Sequence, residues 1–228
     1  MGWRTQTQVS RTRPRHRMGH VSSPTRDIAS TWVLLEGASD VAAVRAVAER
    51  VGLRLRDRGI RLVDMGGATN VRHHLHEAAA APTSPRVIGM CDIKEAGFFV
   101  RALRDLPCDV ATADDLPRWG FQLCDRDLED ELMRALGPDR VRGVLEGLRL
   151  GDRFATFTQQ PAWADRDFHE QARRFAGVAS GRKEVMAAAL ATALDPTALP
   201  TPLRGLLDDM STTGPTLRAL IGADRTGT

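Results

Sequence analysis

Glu36 directly follows the apolar run Trp32-Val33-Leu34-Leu35, and a second carboxylate, Asp40, stands four residues behind it. Another acid, Asp92, ends the run Arg86-Val87-Ile88-Gly89-Met90-Cys91, with Lys94 and Glu95 close behind. Asp125, Asp127, Glu129, Asp130 and Glu131 crowd a third place, just past Trp119–Cys124. Carboxylates gathered in one cleft repel each other, so they gain protons or demand a cation, for which Mg²⁺ with its oxygen ligands and retained waters is the usual solution. A metal so held polarises a phosphoryl oxygen and activates water, and a second would stabilise the leaving oxygen. Acids just past strands also serve as helix caps and dipole partners, and this is the simple structural reading of Asp127 and Glu129.

Four consecutive apolar residues between Thr31 and Glu36 predict a short strand buried on both faces, as in a parallel sheet. Ser39 is the expected cap of a helix beginning near Asp40, with Val41, Val44, Val47, Ala48 and Val51 on one face and Gly52 at its end. A second strand follows over Gly59–Met65, closed by Gly66-Gly67-Ala68-Thr69-Asn70, where Thr69 or Asn70 caps a helix through Ala81. The third strand is Arg86–Cys91, then come a helix over Ala96–Leu106 and strands at Cys108–Ala111 and Trp119–Cys124. From Pro138 onward the patterns are helical: Arg140–Arg149, Asp165–Ala176, Arg182–Leu194 and Pro202–Met210. This βαβα rhythm predicts an α/β fold with a mostly parallel central sheet flanked by helices. The division expected is a basic disordered arm (1–28), an α/β core (29–137) and a helical extension packed on it (138–228). Parallel neighbours joined by right-handed crossovers would bring Glu36, Asp40 and Asp92 to the carboxyl edge of the sheet, where open α/β sheets bind ligands.

The net charge of +3 is unevenly spread: residues 1–28 hold six arginines against Asp27, a charge of +5, which leaves −2 for the rest. The basic pI therefore belongs to the arm, which is read as a contact for phosphates, a solvated tail, or sequence ahead of a true start at Met18. No apolar run approaches the roughly 18 residues a membrane span needs, so no membrane partner is expected. Cys91, Cys108 and Cys124 fit neither a disulfide framework nor a CxxC site, and reduced thiols in a cytoplasmic protein are the simplest account. Of 32 basic side chains only Lys94 and Lys183 are lysine. Where lysine survives such a bias, a compact point charge able to share a proton is one reading and chance is the other.

Leu34-Leu35-Glu36-Gly37-Ala38-Ser39-Asp40, followed by Ile88-Gly89-Met90-Cys91-Asp92, resembles the TOPRIM domain, and within it most nearly the OLD-family nucleases. Gly66-Gly67-Ala68-Thr69-Asn70 is similar to that branch's glycine turn, and Gly181-Arg182-Lys183 to its late segment with a catalytic lysine. With Pro202-Leu203-Arg204-Gly205-Leu206-Leu207 the pattern looks like small stand-alone TOPRIM proteins. The resemblance implies a TOPRIM-like Rossmannoid core and Mg²⁺ or Mn²⁺ as cofactor. It implies Glu36 as metal ligand or general acid/base, Asp40 and Asp92 as ligands, Glu95 and more weakly Glu129 as further ligands, and Lys183 as the cation stabilising the transition state. The sequence departs from the general Asp-x-Asp motif, reading Asp92-Ile93-Lys94-Glu95. Either Glu95 substitutes as ligand, or Lys94 supplies positive charge where a second metal would sit.

The expected function is a Mg²⁺-dependent nuclease or phosphotransferase acting on nucleic acid, chiefly DNA. Two alternatives remain: a non-catalytic module that binds nucleic acid or a separately encoded ATPase, and a nucleotidyltransferase or nucleotide phosphohydrolase. No GxxxxGK[ST] loop is present, so ATP hydrolysis is not expected. His73, His74 and His76 lack the i, i+4 spacing of a helical zinc site and read as a solvated face. Trp119, Phe154, Phe157 and Trp163 read as core, with base stacking the alternative, and Arg54, Arg56, Arg58, Arg173 and Arg174 as phosphate contacts or solvated helix faces.

Overall fold

The computed structural model describes Met1 and residues 30–106, 108–179 and 181–224; the basic arm, Met1 apart, lies outside the described residues. Four parallel strands form one sheet in the order β2-β1-β3-β4: β1 Thr31–Leu35, β2 Ile60–Asp64, β3 Arg86–Asp92 and β4 Phe121–Cys124. The unbroken apolar run of β1 has its cause in this order. β1 lies between β2 and β3, and its alternate residues face two different cores, Val33 and Leu35 on one side, Trp32 and Leu34 on the other. Burying each such side chain contributes about 1.5–3 kcal/mol.

The chain runs from β1 to β2 on one side through α1 (Ala38–Arg50), then from β2 back past β1 to β3 through α2 (Val71–Ala80). Because the two crossovers go in opposite directions, α1 and α2 cover opposite faces of the sheet. The gap between the carboxyl ends of β1 and β3 is therefore the topological switch point. α3 (Ala96–Arg104) joins α2, while α4 (Leu128–Gly147), α5 (Gly151–Thr158), α6 (Phe168–Gly177), α7 (Arg182–Ala193) and α8 (Thr201–Ser211) build the core on the α1 side. α9 (Leu217–Asp224) returns to the α2 face through buried Leu217. β3 can lie tightly against β1 only because residue 89 is glycine: a Cβ there would stand 2.4 Å from the Leu34 carbonyl oxygen.

Several local expectations are corrected. α1 begins at Ala38, with Gly37 at the cap, and Ser39 is buried inside the first turn instead of capping it. Asn70 caps no helix through its side chain; its Nδ2 donates to the Met65 and Gly66 carbonyls and ties down the glycine turn. Cys108–Ala111 is not a strand. Its backbone is satisfied elsewhere: Arg104 donates to the Val110 and Ala111 carbonyls, and Asp115 Oδ2 accepts from the Ala111 amide at 2.8 Å. A 3₁₀ segment, Ala113–Trp119, then leads into β4. α4 starts at Leu128 and consists of two helical stretches divided by the non-helical Gly137 (φ 75°, ψ 166°), in keeping with the break expected near Pro138, whereas α5 and α9 are helices the apolar pattern did not reveal.

Candidate functional site

Glu36 leaves β1 at the switch point, and its backbone is clamped by the turn after β2, where the Gly67 amide donates to the Glu36 carbonyl at 2.8 Å. Gly66 and Gly67 have φ of 65° and 115°, left-handed conformations that favour glycine in this turn. The Glu36 side chain crosses to β3, where Oε1 accepts a 2.9 Å hydrogen bond from the Asp92 amide. Asp40 folds back in the first turn of α1, its Oδ2 accepting from the Gly37 amide at 3.1 Å. Glu95 follows in the turn that opens α3, close enough to share a hydrogen bond with Glu36.

Glu36 and Asp40 are both pushed up to about 7. For Glu36 the causes are burial, opposed by the Asp92 amide, and then the charge and hydrogen bond of Glu95. For Asp40 they are burial and repulsion from Glu129, partly offset by Lys183. Asp92 rises to about 8 through burial, then repulsion from Glu36, Asp127, Asp40 and Glu95. Burial is the largest cause in all three, Glu36 adds repulsion on both Asp40 and Asp92, and the set is short of positive charge.

Two further elements supply the rest. Just ahead of α4, Asp127 caps the helix by accepting from the Asp130 amide at 2.8 Å and from Arg173 Nε at 2.6 Å, which is the structural role expected of it. Glu129 is different: only 2% exposed, it receives Lys183 Nζ from α7 at 3.2 Å from Oε1, and its Oε2 is buried without a hydrogen-bond partner. Burial lowers the proton affinity of Lys183, but the charges of Glu129, Asp40 and Asp127 outweigh it and hold the pKa above the ordinary lysine value.

The structure thus brings Glu36, Asp40, Asp92, Glu95, Glu129 and Lys183 to one end of the sheet. Glu36, Asp40 and Asp92 line a small recess, and Asp92, Glu95, Glu129 and Lys183 open onto an adjoining cleft of about 640 Å³. Lys94, Arg126, Arg166, Arg173 and Arg174 also line the cleft, so cations ring an acidic floor. The sequence reading missed Arg126 and Arg166, whose only signal was their type, and the contacts of Asp130. That buried carboxylate accepts from Arg134 Nε at 2.9 Å and faces His169 Nε2 at 2.9 Å. His73, His74 and His76 lie on α2 on the other side of the sheet.

Among the described residues no three acidic, histidine or cysteine side chains close into a metal cage. Mg²⁺ does not require one, since it is commonly held by one or two carboxylates plus water and substrate phosphates. The all-oxygen donor set and the orphaned Glu129 Oε2 fit such an ion.

A parallel sheet with acids at its switch point and helices on both faces defines a doubly wound α/β protein with its candidate site at the carboxyl edge. Residues 28–83 match the family model of the Overcoming lysogenization defect protein-like TOPRIM domain. The fold is similar to the C-terminal region of the Burkholderia pseudomallei OLD protein, with a TM-score of 0.56 and 19% identity over 80% of this chain and 97% of that one. It is similar also to the C-terminal region of the Xanthomonas campestris pv. campestris OLD protein, with a TM-score of 0.57 and 20% identity over 86% of this chain and 98% of that one. No curated protein matches by sequence. The likeness to these two structures is one of fold, and the match to the OLD-like TOPRIM model lies within residues 28–83.

Proposed function

We propose that this protein is a divalent-metal-dependent nuclease that hydrolyses phosphodiester bonds of nucleic acid, chiefly DNA, at the β1/β3 edge, and that it works in the cytoplasm. The observation that supports this reading is the gathering of Glu36, Asp40, Asp92 and Glu95 beside Lys183 in a cleft ringed by arginines. OLD-like TOPRIM membership of residues 28–83 points the same way. Glu36, Asp40 and Asp92 would hold Mg²⁺ or Mn²⁺, with Glu95 and Glu129 as further ligands. When bound, the ion supplies Lewis-acid polarisation of a phosphoryl oxygen and a more acidic water.

The chain's own residues provide the remainder. Lys183 is protonated at neutral pH and stands where it can neutralise charge developing on phosphoryl oxygens. Arg126, Arg166 and Arg174 on the cleft wall neutralise flanking phosphates, an electrostatic term that does not depend on base sequence. Glu95 sits by Glu36, whereas Lys94 is exposed on the cleft, which favours Glu95 as the acid that stands in for the second aspartate of the general motif.

Product analysis tests the reading. End-labelled DNA incubated with the protein and Mg²⁺ or Mn²⁺ should yield shorter fragments ending in phosphate and hydroxyl. Extension or labelling of the strand by added nucleotides would identify a nucleotidyltransferase, and an unchanged strand with either metal would leave a binding module that acts on nucleic acid or a separate ATPase.

A further inference from the structure

Of the four aromatic side chains weighed for base stacking, Phe154 and Phe157 are buried in the core at 8% exposure each, and Trp119 packs against the α2-side core. Trp163 is placed differently. It lies half-buried in the turns between α5 and α6 and is the one aromatic among the described residues lining the cleft that holds Asp92, Glu95 and Lys183. Its ring is fixed from behind. It stacks on Phe157 with centroids 5.4 Å apart and planes 24° from parallel, and its carbonyl accepts from Gln171 Nε2 at 2.8 Å. The Arg174 guanidinium carbon lies over the ring, 5.9 Å from its centroid, and Arg166 and Arg173, paired with Glu170 and Asp127, line the same cleft.

We propose that Trp163 is a stacking platform for an unpaired base, so that the cleft receives single-stranded or locally melted nucleic acid in preference to continuous duplex. The proposal rests on the nuclease reading for the kind of polymer, not for the platform itself. A rigid aromatic face beside arginines is the arrangement that binds single strands with little sequence preference, because every base has a π-face and every nucleotide a phosphate. The size of the cleft agrees. At about 640 Å³ it lies within the roughly 300–1,000 Å³ of sites that take small molecules, which admits a nucleotide or two.

The test is the affinity of the full chain for short fluorescent single strands and blunt duplexes of equal length, with Ca²⁺ replacing Mg²⁺. The wild type should prefer the single strand. Trp163→Ala should weaken single-strand binding by about 5- to 150-fold, the range for loss of one stacked base, while Trp163→Phe keeps most of it and duplex binding does not change. Equal melting temperatures establish that the variants are folded; should Trp163→Ala unfold, Trp163→Phe is compared with wild type on strands bearing abasic residues, which should bind both equally weakly. Wild-type affinity in Trp163→Ala, an equal loss on duplex, or indifference to abasic residues overturns the platform. Failure of the nuclease reading would appear separately, as a persisting binding difference with no cleavage under Mg²⁺ or Mn²⁺.

Discussion

Lys183, in the first turn of α7, holds its Nζ 3.2 Å from Oε1 of Glu129, in the first turn of α4. The two partners live in different environments: the Glu129 side chain is 2% exposed and that of Lys183 51%. One ammonium therefore neutralises an acid that water cannot reach and at the same time faces Asp40 and the cleft. In a chain whose cations are otherwise almost all arginine, this is a place where a compact point charge suits the geometry.

Lys183→Met should abolish cleavage and also lower stability, because it leaves Glu129 buried without a counter-charge. Loss of a partner in a buried pair costs about 3–5 kcal/mol, reduced here to about 1–3 kcal/mol because Lys183 is half in solvent. The double variant Lys183→Met/Glu129→Gln should regain most of the melting temperature and none of the activity. Recovery of activity in the double variant would reduce the lysine to a structural counter-ion.

Stability of the metal-free protein should fall as pH rises. Glu36, Asp40 and Asp92 have ordinary values of 4.5, 3.8 and 3.8 and folded values of about 7, 7 and 8. Between those limits the folded state binds more protons than the unfolded state, so stability is lost through this window as the carboxyls ionise against their burial and, second, against neighbouring charges. Melting curves across neutral pH should show the decline in EDTA and a smaller one with saturating Mg²⁺, since binding to the folded state alone stabilises it. A flat profile without metal would contradict the crowded-acid site.

Glu36→Gln removes one of the repelling charges and keeps the shape. In EDTA above neutral pH it should melt higher than wild type, while Mg²⁺ should raise its melting temperature less. Calorimetric titration with Mn²⁺ checks the same point directly, with weaker binding expected in the variant.

Gly89→Ala should destabilise by about 3 kcal/mol, near the upper end for overpacking, because the new Cβ would meet a backbone oxygen that cannot move aside. Gly205→Ala should cost less. Its Cβ would meet the Gln122 side chain at 2.7 Å, and that side chain can give way by loosening its hydrogen bond to Asp209. Thermal denaturation of both variants orders them.

The sheet and the acids at its edge were legible because β1 is buried on both faces and because Glu36 and Asp92 stand at strand ends, where topology alone brings them together. Cys108–Ala111 has strand-like residues, but hydrogen bonds from Arg104 and to Asp115 hold its backbone away from the sheet, and no periodicity encodes that. The approach of Lys183 to Glu129 was likewise hidden. Both residues belonged to the resemblance, yet Glu129 reads equally well as a first-turn acid, and only the packing of α7 against α4 tells the two apart. Trp163 was hidden for a related reason: composition does not separate a tryptophan that lines a cleft from one inside a core.

The most direct measurement is nicking of supercoiled plasmid by the purified protein with Mg²⁺, Mn²⁺ or EDTA, beside Glu36→Ala of matched melting behaviour. The account predicts nicking that requires the metal and disappears in the variant. Nicking that survives EDTA or the loss of Glu36, or its absence with both metals, would contradict it.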